Sequence, residues 1–335
     1  MLIQFDLIDI GGTNTRVARC ESQGTGGRLV EMKTYNSKAY SGLEEIINDY
    51  GSTTGRRGEY AVIGVAGPVV DGAAMATNLP WVVDEARLKK TLGFSRVSLI
   101  NDVEALGHSI EVLQKDDLDV IHAGSRREGF PAALIAPGTG LGEAFLIPHE
   151  NAYRVFSSEG GHSDFAPATD LELKLLAHLR SSRDHVSYEQ VCSGPGIHTI
   201  YRFLKAEGIC REPPWLKSRL ASAGDPVEII AENALSGKEA EDITVKAIDV
   251  FVSILGAEAG NMALRYNARA GVYIGGGVAS KILPFVKKDG FLTSFKTKGR
   301  LSGVVSDIPV LLIRKFEANL YGLANYARKT LCAGR

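Results

Sequence analysis

Leu2-Ile3-Gln4-Phe5-Asp6-Leu7-Ile8-Asp9-Ile10-Gly11-Gly12-Thr13-Asn14 is the stretch that decides the fold. Its mostly apolar run predicts a buried strand, and the two glycines that end it permit a tight reversal. Arg16-Val17-Ala18-Arg19-Cys20 then reads as the hairpin partner of that strand. The same order returns near residue 135. Ala132-Ala133-Leu134-Ile135-Ala136 is an apolar strand, Gly138-Thr139-Gly140-Leu141-Gly142 is a second glycine turn, and Glu143 to Pro148 resumes extended chain. A chain of 335 residues is long for one hydrophobic core, so two domains are expected, each opened by strand, glycine turn and strand.

Downstream of the first turn, Ser41-x-x-Glu44 has the spelling of a capping box and starts a helix through Ile46, Ile47 and Tyr50. A buried-type strand, Tyr60 to Ala66, ends at Gly67-Pro68, and strand Val97–Ile100 runs into a helix from Val103 to Leu113. Strands alternating with helices predict an α/β sheet. The polar interval Lys115 to Glu128 separates this half from the next. Helices dominate there. Thr169-x-x-Glu172 caps one, Asp225-Pro226-x-Glu228 starts another that ends at Gly237, and a long one runs from about Glu239 to Tyr266. Strand Gly271–Ile274 then meets Gly275-Gly276-Gly277.

Lysine and arginine total 38 against 39 acids, a formal charge of −1. That balance gives no electrostatic footprint for nucleic acid or an anionic membrane. The opening residues carry no basic segment ahead of an apolar one, and no apolar run approaches the roughly 20 residues of a membrane helix. Cys20, Cys192, Cys210 and Cys332 are scattered, with no C-x-x-C pair. Reduced, isolated thiols and a cytoplasmic chain are expected.

The chemistry resides in the turns and the acids near them. Asp9-Ile10-Gly11-Gly12-Thr13-Asn14 lacks the G-K-[ST] ending of a P-loop and does not fit G-x-G-x-x-G. Glycines without a Cβ still let backbone N–H groups converge on an anion, with Thr13 and Asn14 as added donors. A plain hairpin turn is the competing explanation. Gly138, Thr139 and Gly140 offer the same chemistry, and Gly275-Gly276-Gly277 permits close approach of a ring or phosphate. Two such turns in matching contexts suggest two domains gripping one polyphosphate.

Asn101-Asp102 lies where a strand runs into a helix, the end of an α/β sheet at which ligands gather. A carboxylate there could take a proton from an attacking hydroxyl. Asn101 is also a plausible N-cap with Glu104 at N3, and the two roles are compatible. Glu159-Gly160-Gly161-His162 could point two polar heads at a polyhydroxylated ligand, or simply solvate a loop. No third ligand with zinc spacing lies nearby. Glu189, within Ser187-Tyr188-Glu189-Gln190, reads locally as an acid in the first turn of a capped helix.

Taken together these segments resemble the bacterial-type glucokinase family, within the actin, hexokinase and Hsp70 ATPase superfamily. The likeness runs nearly end to end: Asp9 to Asn14 and Ala136 to Gly142 as phosphate motifs, Asn78-Leu79-Pro80-Trp81, Ile100-Asn101-Asp102, Glu159 to Pro167, Ser193-Gly194-Pro195-Gly196, and Gly276-Gly277. The resemblance implies a two-domain, ribonuclease H-like (actin-like ATPase) α/β fold. Residues 1–112 with 318–335 would form a smaller α/β domain and residues 113–317 a larger α+β domain, with a cleft between them.

The resemblance also implies ATP-dependent phosphorylation of glucose at its 6-hydroxyl. Mannose, fructose or an amino sugar is the alternative substrate, and a non-catalytic sugar sensor a more distant one. Asp102 would be the general base, with Asn78, Asn101, Glu159, His162 and Glu189 on sugar hydroxyls. Asp9, Gly11, Gly12, Thr13, Asn14, Gly138, Thr139, Gly140, Gly276 and Gly277 would line the nucleotide. Magnesium would arrive with ATP, touching Asp9 through water and no protein ligand directly. A homodimer is implied, and the cysteine-rich zinc motif usual in the related ROK sugar kinases is missing from the sequence.

Overall fold

A computed structural model describes residues 3–23, 26–236 and 242–331. The expected start at Leu2, the helix end at Gly237, the helix start at Glu239 and the thiol of Cys332 lie outside these residues. The chain divides into two compact units. Met1–Lys115, Val155–Ser157 and Lys315–Arg335 form the first, and Asp116–Arg154 with Ser158–Arg314 the second.

The first unit is built on a five-stranded sheet. Strands β1 (Ile3–Ile10), β2 (Asn14–Gln23) and β3 (Gly26–Asn36) precede β4 (Tyr60–Val65), a short hairpin of β5 (Ala73–Met75) and β6 (Val82–Asp84), and β7 (Arg96–Asn101). The sheet order is β3-β2-β1-β4-β7. β1 and β2 run antiparallel, closing with Ile10 opposite Thr15, whereas β1 pairs with β4 and β4 with β7 in parallel.

The strand period of two sorts β1 onto two cores. Ile8 and Ile10 pack with Ile46, Ile47 and Tyr50 of helix α1 (Leu43–Thr54) and Leu88 of α2 (Glu85–Leu92). Phe5 and Leu7 pack with Ala105 of α3 (Asp102–Ser109) and with Leu320 and Leu323 of helix Ala318–Leu331.

The second unit repeats this order and extends it. Its sheet has β8 (Leu118–His122), β9 (Ala132–Pro137), β10 (Leu141–His149), β11 (Ala152–Ser158, of which Val155–Ser157 count with the first unit), β12 (Gly271–Ile274) and β13 (Val310–Ile313), arranged β11-β10-β9-β12-β13-β8. β9 pairs antiparallel with β10 across the second glycine turn and parallel with β12, which is parallel to β13. The run β10-β9-β12-β13 therefore has the same order and sense as β2-β1-β4-β7, so the doubled spelling in the sequence is a doubled sheet.

The main core of this unit lies between the sheet and a helical layer. The layer comprises α4 (Asp170–Arg180), α5 (Gly194–Ala206), α6 (Pro214–Ala221), α7 (Pro226–Leu235) and α8 (Ile243–Arg265). Phe251, Ile254 and Leu255 of α8 are wholly buried.

Several local expectations change. Ser41 does not cap α1. Gly42 holds the N-cap position without a side-chain bond, and the Ser41 hydroxyl reaches Glu45 instead. The helix after Asn101 ends at Ser109, four residues short of Leu113, and α8 starts at Ile243. The interval Lys115 to Glu128 contains β8, an edge strand whose five residues are half-buried or exposed, so it lacks the apolar run that marks its neighbours. Cys20 and Cys192 are buried, and no described helix is long and apolar enough to cross a membrane.

Candidate active site

In the first unit the glycine turn is closed by its own backbone. Gly11 N–H donates to the Asn14 carbonyl at 3.0 Å. Ser37 braces it from β3's end: its hydroxyl donates to the Gly11 carbonyl at 2.7 Å and lies 3.0 Å from the Thr15 hydroxyl, while its N–H meets the Thr13 carbonyl. Thr13 and Asn14 side chains are exposed on this frame, with Asn78 beside Gly12. Asn78 holds a left-handed φ of 65°, a conformation an asparagine tolerates better than most residues.

Asp9 is buried at the end of β1 and held at both oxygens. Arg16, its register partner on β2, donates at 3.0 Å, and Asn319 donates at 2.9 Å. Asn101 is the N-cap of α3: its side-chain oxygen accepts from Val103 and Glu104 N–H, and its amide donates to the Gly67 carbonyl at 3.0 Å. Asp102 follows as the first helical residue, half-buried, with one carboxylate oxygen 2.9 Å from Val103 N–H. The carboxyl end of β7 thus presents Asn101 and Asp102 in fixed positions. Leu79 and Trp81, just after Asn78, belong to the buried core, and the Trp81 indole N–H has no partner among the described residues.

In the second unit the structure brings Glu159, His162 and Glu189 together. His162 Nε2 lies 4.0 Å from a Glu159 oxygen and 3.9 Å from a Glu189 oxygen. These gaps exceed direct hydrogen-bond distance but lie within ion-pair range, so the three polar heads form one cluster. Glu159 precedes a 3-10 turn, Gly160–His162, and His162 ends it. A Cβ on Gly160 would stand 2.1 Å from Glu143 Oε2, and one on Gly161 2.2 Å from the Leu141 carbonyl, so only glycine lets the turn lie this close to β10.

Glu189 departs from its local reading. It lies in a turn before α5, whose N-cap is Ser193, and so it is not in a first helical turn. One Glu189 carboxylate oxygen instead accepts the Leu141 N–H at 3.0 Å, at the exit of the second glycine turn. That turn is also closed by Gly138 N–H on the Gly140 carbonyl and by Gly194 N–H on the Gly138 carbonyl, both at 2.8 Å. Gly140 is pinned beneath Glu189, since an added Cβ would meet its carboxylate at 2.5 Å, whereas nothing lies within 4 Å of one added to Gly138 or Gly277. Gly276 abuts the Pro137 carbonyl.

No local pattern marks Asn319, 310 residues from Asp9. Arg16 was legible in principle, because strand pairing places it opposite Asp9. Glu143 was missed as well; an acid within a buried strand was its only signal. Among the described residues no group of three or more His, Cys, Asp or Glu side chains could hold a metal ion.

A doubled sheet in which each copy opens on a glycine hairpin defines the actin-like ATPase fold, and the solved structures that resemble this chain share it. A glucokinase from an Antarctic psychrotroph superposes with a TM-score of 0.83 at 30% identity, covering 98% of this chain and 99% of that one. A ROK family glucokinase from Streptomyces griseus, in complex with glucose and AMPPNP, gives 0.63 at 21% identity over 98% and 100%, a likeness of fold. A family model described as Glucokinase matches residues 7–330. A glucokinase of Nostoc sp. is 38% identical over 340 residues, 98% of both chains. The chain belongs to the glucokinase family.

Proposed function

We propose that the protein transfers the γ-phosphoryl group of ATP to the 6-hydroxyl of glucose, with Asp102 as general base. The observation that carries this reading is the convergence of Glu159, His162 and Glu189 beside a glycine turn, with Glu189 bonded to that turn. Carboxylates suit a neutral polyol because each accepts two or more hydroxyl hydrogen bonds. Glu159, His162 and Glu189 hold sugar hydroxyls, as do Asn78 and Asn101. Asp102 takes the proton from the 6-hydroxyl as its oxygen attacks phosphorus, and the bond to the ADP oxygen breaks. Orientation of the bound hydroxyl carries much of the rate, because phosphoryl transfer needs little covalent chemistry from the protein.

Gly11, Gly12, Thr13, Asn14, Gly138, Thr139 and Gly140 line the phosphates, and Gly276 with Gly277 the rest of the nucleotide. Open space above Gly138 and Gly277 supports this, since backbone there is accessible to a ligand. The donor set suits magnesium carried by phosphates and water: Asp9 is a buried carboxylate already bonded to Arg16 and Asn319, which leaves it an outer-sphere role. Bound magnesium would neutralise charge on the transferred group. The first unit serves as the smaller domain and the second as the larger. A cytoplasmic homodimer completes the proposal on the strength of the family resemblance.

The test is ADP formation with ATP, magnesium and glucose, beside mannose, fructose and glucosamine. Glucose-dependent turnover is expected, with glucose the best of the four by kcat/KM. Asp102→Ala should lower kcat by roughly 10²–10⁴-fold with little change in glucose KM. Turnover near normal in that variant removes Asp102 as the base, and no ADP with any sugar removes the kinase reading.

A further inference from the structure

Glu143 on β10 is an acid in the wrong place for an acid. It is 1% exposed, and among the described residues neither carboxylate oxygen has a hydrogen-bond partner. An unpaired buried carboxylate is among the costliest groups a protein can hold, and the usual outcome is that it keeps its proton. One of its oxygens fills the space that a Cβ on Gly160 would need, inside the turn that carries Glu159 and His162. Gly160 N–H is itself bonded to the Ser158 hydroxyl at 3.3 Å, and that hydroxyl reaches the Glu143 backbone carbonyl.

The groups facing Glu143 explain why no cation serves it. Glu258 on α8 is fully buried, and Arg265, the nearby guanidinium, donates to Glu258 at 2.6 Å. Asn261 occupies the other Glu258 oxygen at 2.9 Å. Glu143 is left next to a negative charge whose counter-ion is already committed. Burial first, and then Glu258, push its carboxyl up to about 8, with Arg265 opposing weakly. The other facing groups do not titrate there. Burial raises the phenols of Tyr188 and Tyr266 and the Cys192 thiol above their ordinary values, with Glu143 or Glu258 adding to the rise.

We propose that Glu143 works as a neutral carboxylic acid that seats the Glu159–His162 turn, and that losing its proton unseats the turn and weakens glucose binding. This rests on the assignment of Glu159 and His162 to the sugar. An ionised Glu143 repels Glu258 and draws on donors beside Gly160, where the Ser158 hydroxyl accepts the Gly160 N–H and so supports the turn. Glu143 touches no substrate; it is a positioning residue.

The experiment measures KM for glucose and for ATP, with kcat, from pH 6.5 to 9.5 on the full chain and on Glu143→Gln. Glutamine keeps the shape of the neutral acid and cannot ionise. In the unsubstituted protein glucose KM should rise about tenfold between pH 7 and pH 9, as the competent fraction falls, with ATP KM flat. Glu143→Gln should keep the pH 7 value within about twofold and abolish the rise, a pattern that lost packing alone would not produce. An alkaline rise that survives in Glu143→Gln overturns the proposal. If that variant does not fold, a flat glucose KM to pH 9.5 in the unsubstituted protein overturns it. Glu159→Ala and His162→Ala at pH 7 act as separate controls: unchanged glucose KM in both refutes the sugar assignment, whatever Glu143 does.

Discussion

The two glycine hairpins have the same topology and different supports. The turn after β1 is braced by a neutral hydroxyl, Ser37, and by backbone bonds. The turn after β9 is braced by Glu189, a carboxylate that also belongs to the Glu159–His162 cluster. The first is anchored to its own sheet edge. The second is anchored to the group of side chains proposed to hold the sugar, so in this copy of the fold anything that moves Glu189 moves the glycine turn proposed to hold phosphate.

The sharpest way to break this comparison is Glu189→Gln. The variant loses a charge-assisted acceptor for Leu141 N–H as well as a sugar contact, an interaction worth about 1.5–3 kcal/mol. Both KM values should rise, each by about tenfold, whereas Glu159→Gln should raise glucose KM alone. Steady-state kinetics with each substrate varied would decide it; an unchanged ATP KM in Glu189→Gln uncouples the two sites.

A smaller effect is expected from Gly138→Ala. Among the described residues, no atom beyond the adjoining chain lies within 4 Å of the added methyl, so thermal stability should hold. ATP KM should rise about fivefold if a phosphate occupies that space, which corresponds to roughly 1 kcal/mol. An unchanged ATP KM would move the nucleotide away from Gly138. The smallest change is Ser37→Ala, which removes a hydrogen bond to Gly11 worth about 1 kcal/mol. It should shift ATP KM by fivefold at most and leave glucose KM alone. A glucose effect there would show that the first turn is as coupled as the second.

Much of this was legible in the sequence because glycines and apolar runs report local geometry. The β1–β2 and β9–β10 hairpins follow from spelling alone, as does the N-cap at Asn101, whose side chain meets Val103 and Glu104 as the pattern requires. Edge strand β8 was not legible, because half-exposed strands need no apolar run. Ser41 and Glu189 misled for a common reason. A capping-box spelling names residues able to bond a helix end, yet other partners compete for the same side chains: the local Glu45 took Ser41 and the distant Leu141 took Glu189. Glu143 was invisible because its character comes from what surrounds it: Glu258, committed to Arg265, lies more than a hundred residues along the chain.

The buried indole next to Asn78 has a practical consequence. The chain has two tryptophans; Trp81 is 3% exposed, whereas Trp215 is 52% exposed. A Trp215→Phe protein would therefore emit from one apolar environment only, three residues from an assigned sugar contact. Its intrinsic fluorescence would follow hexose titrations without dye, label or coupled enzyme.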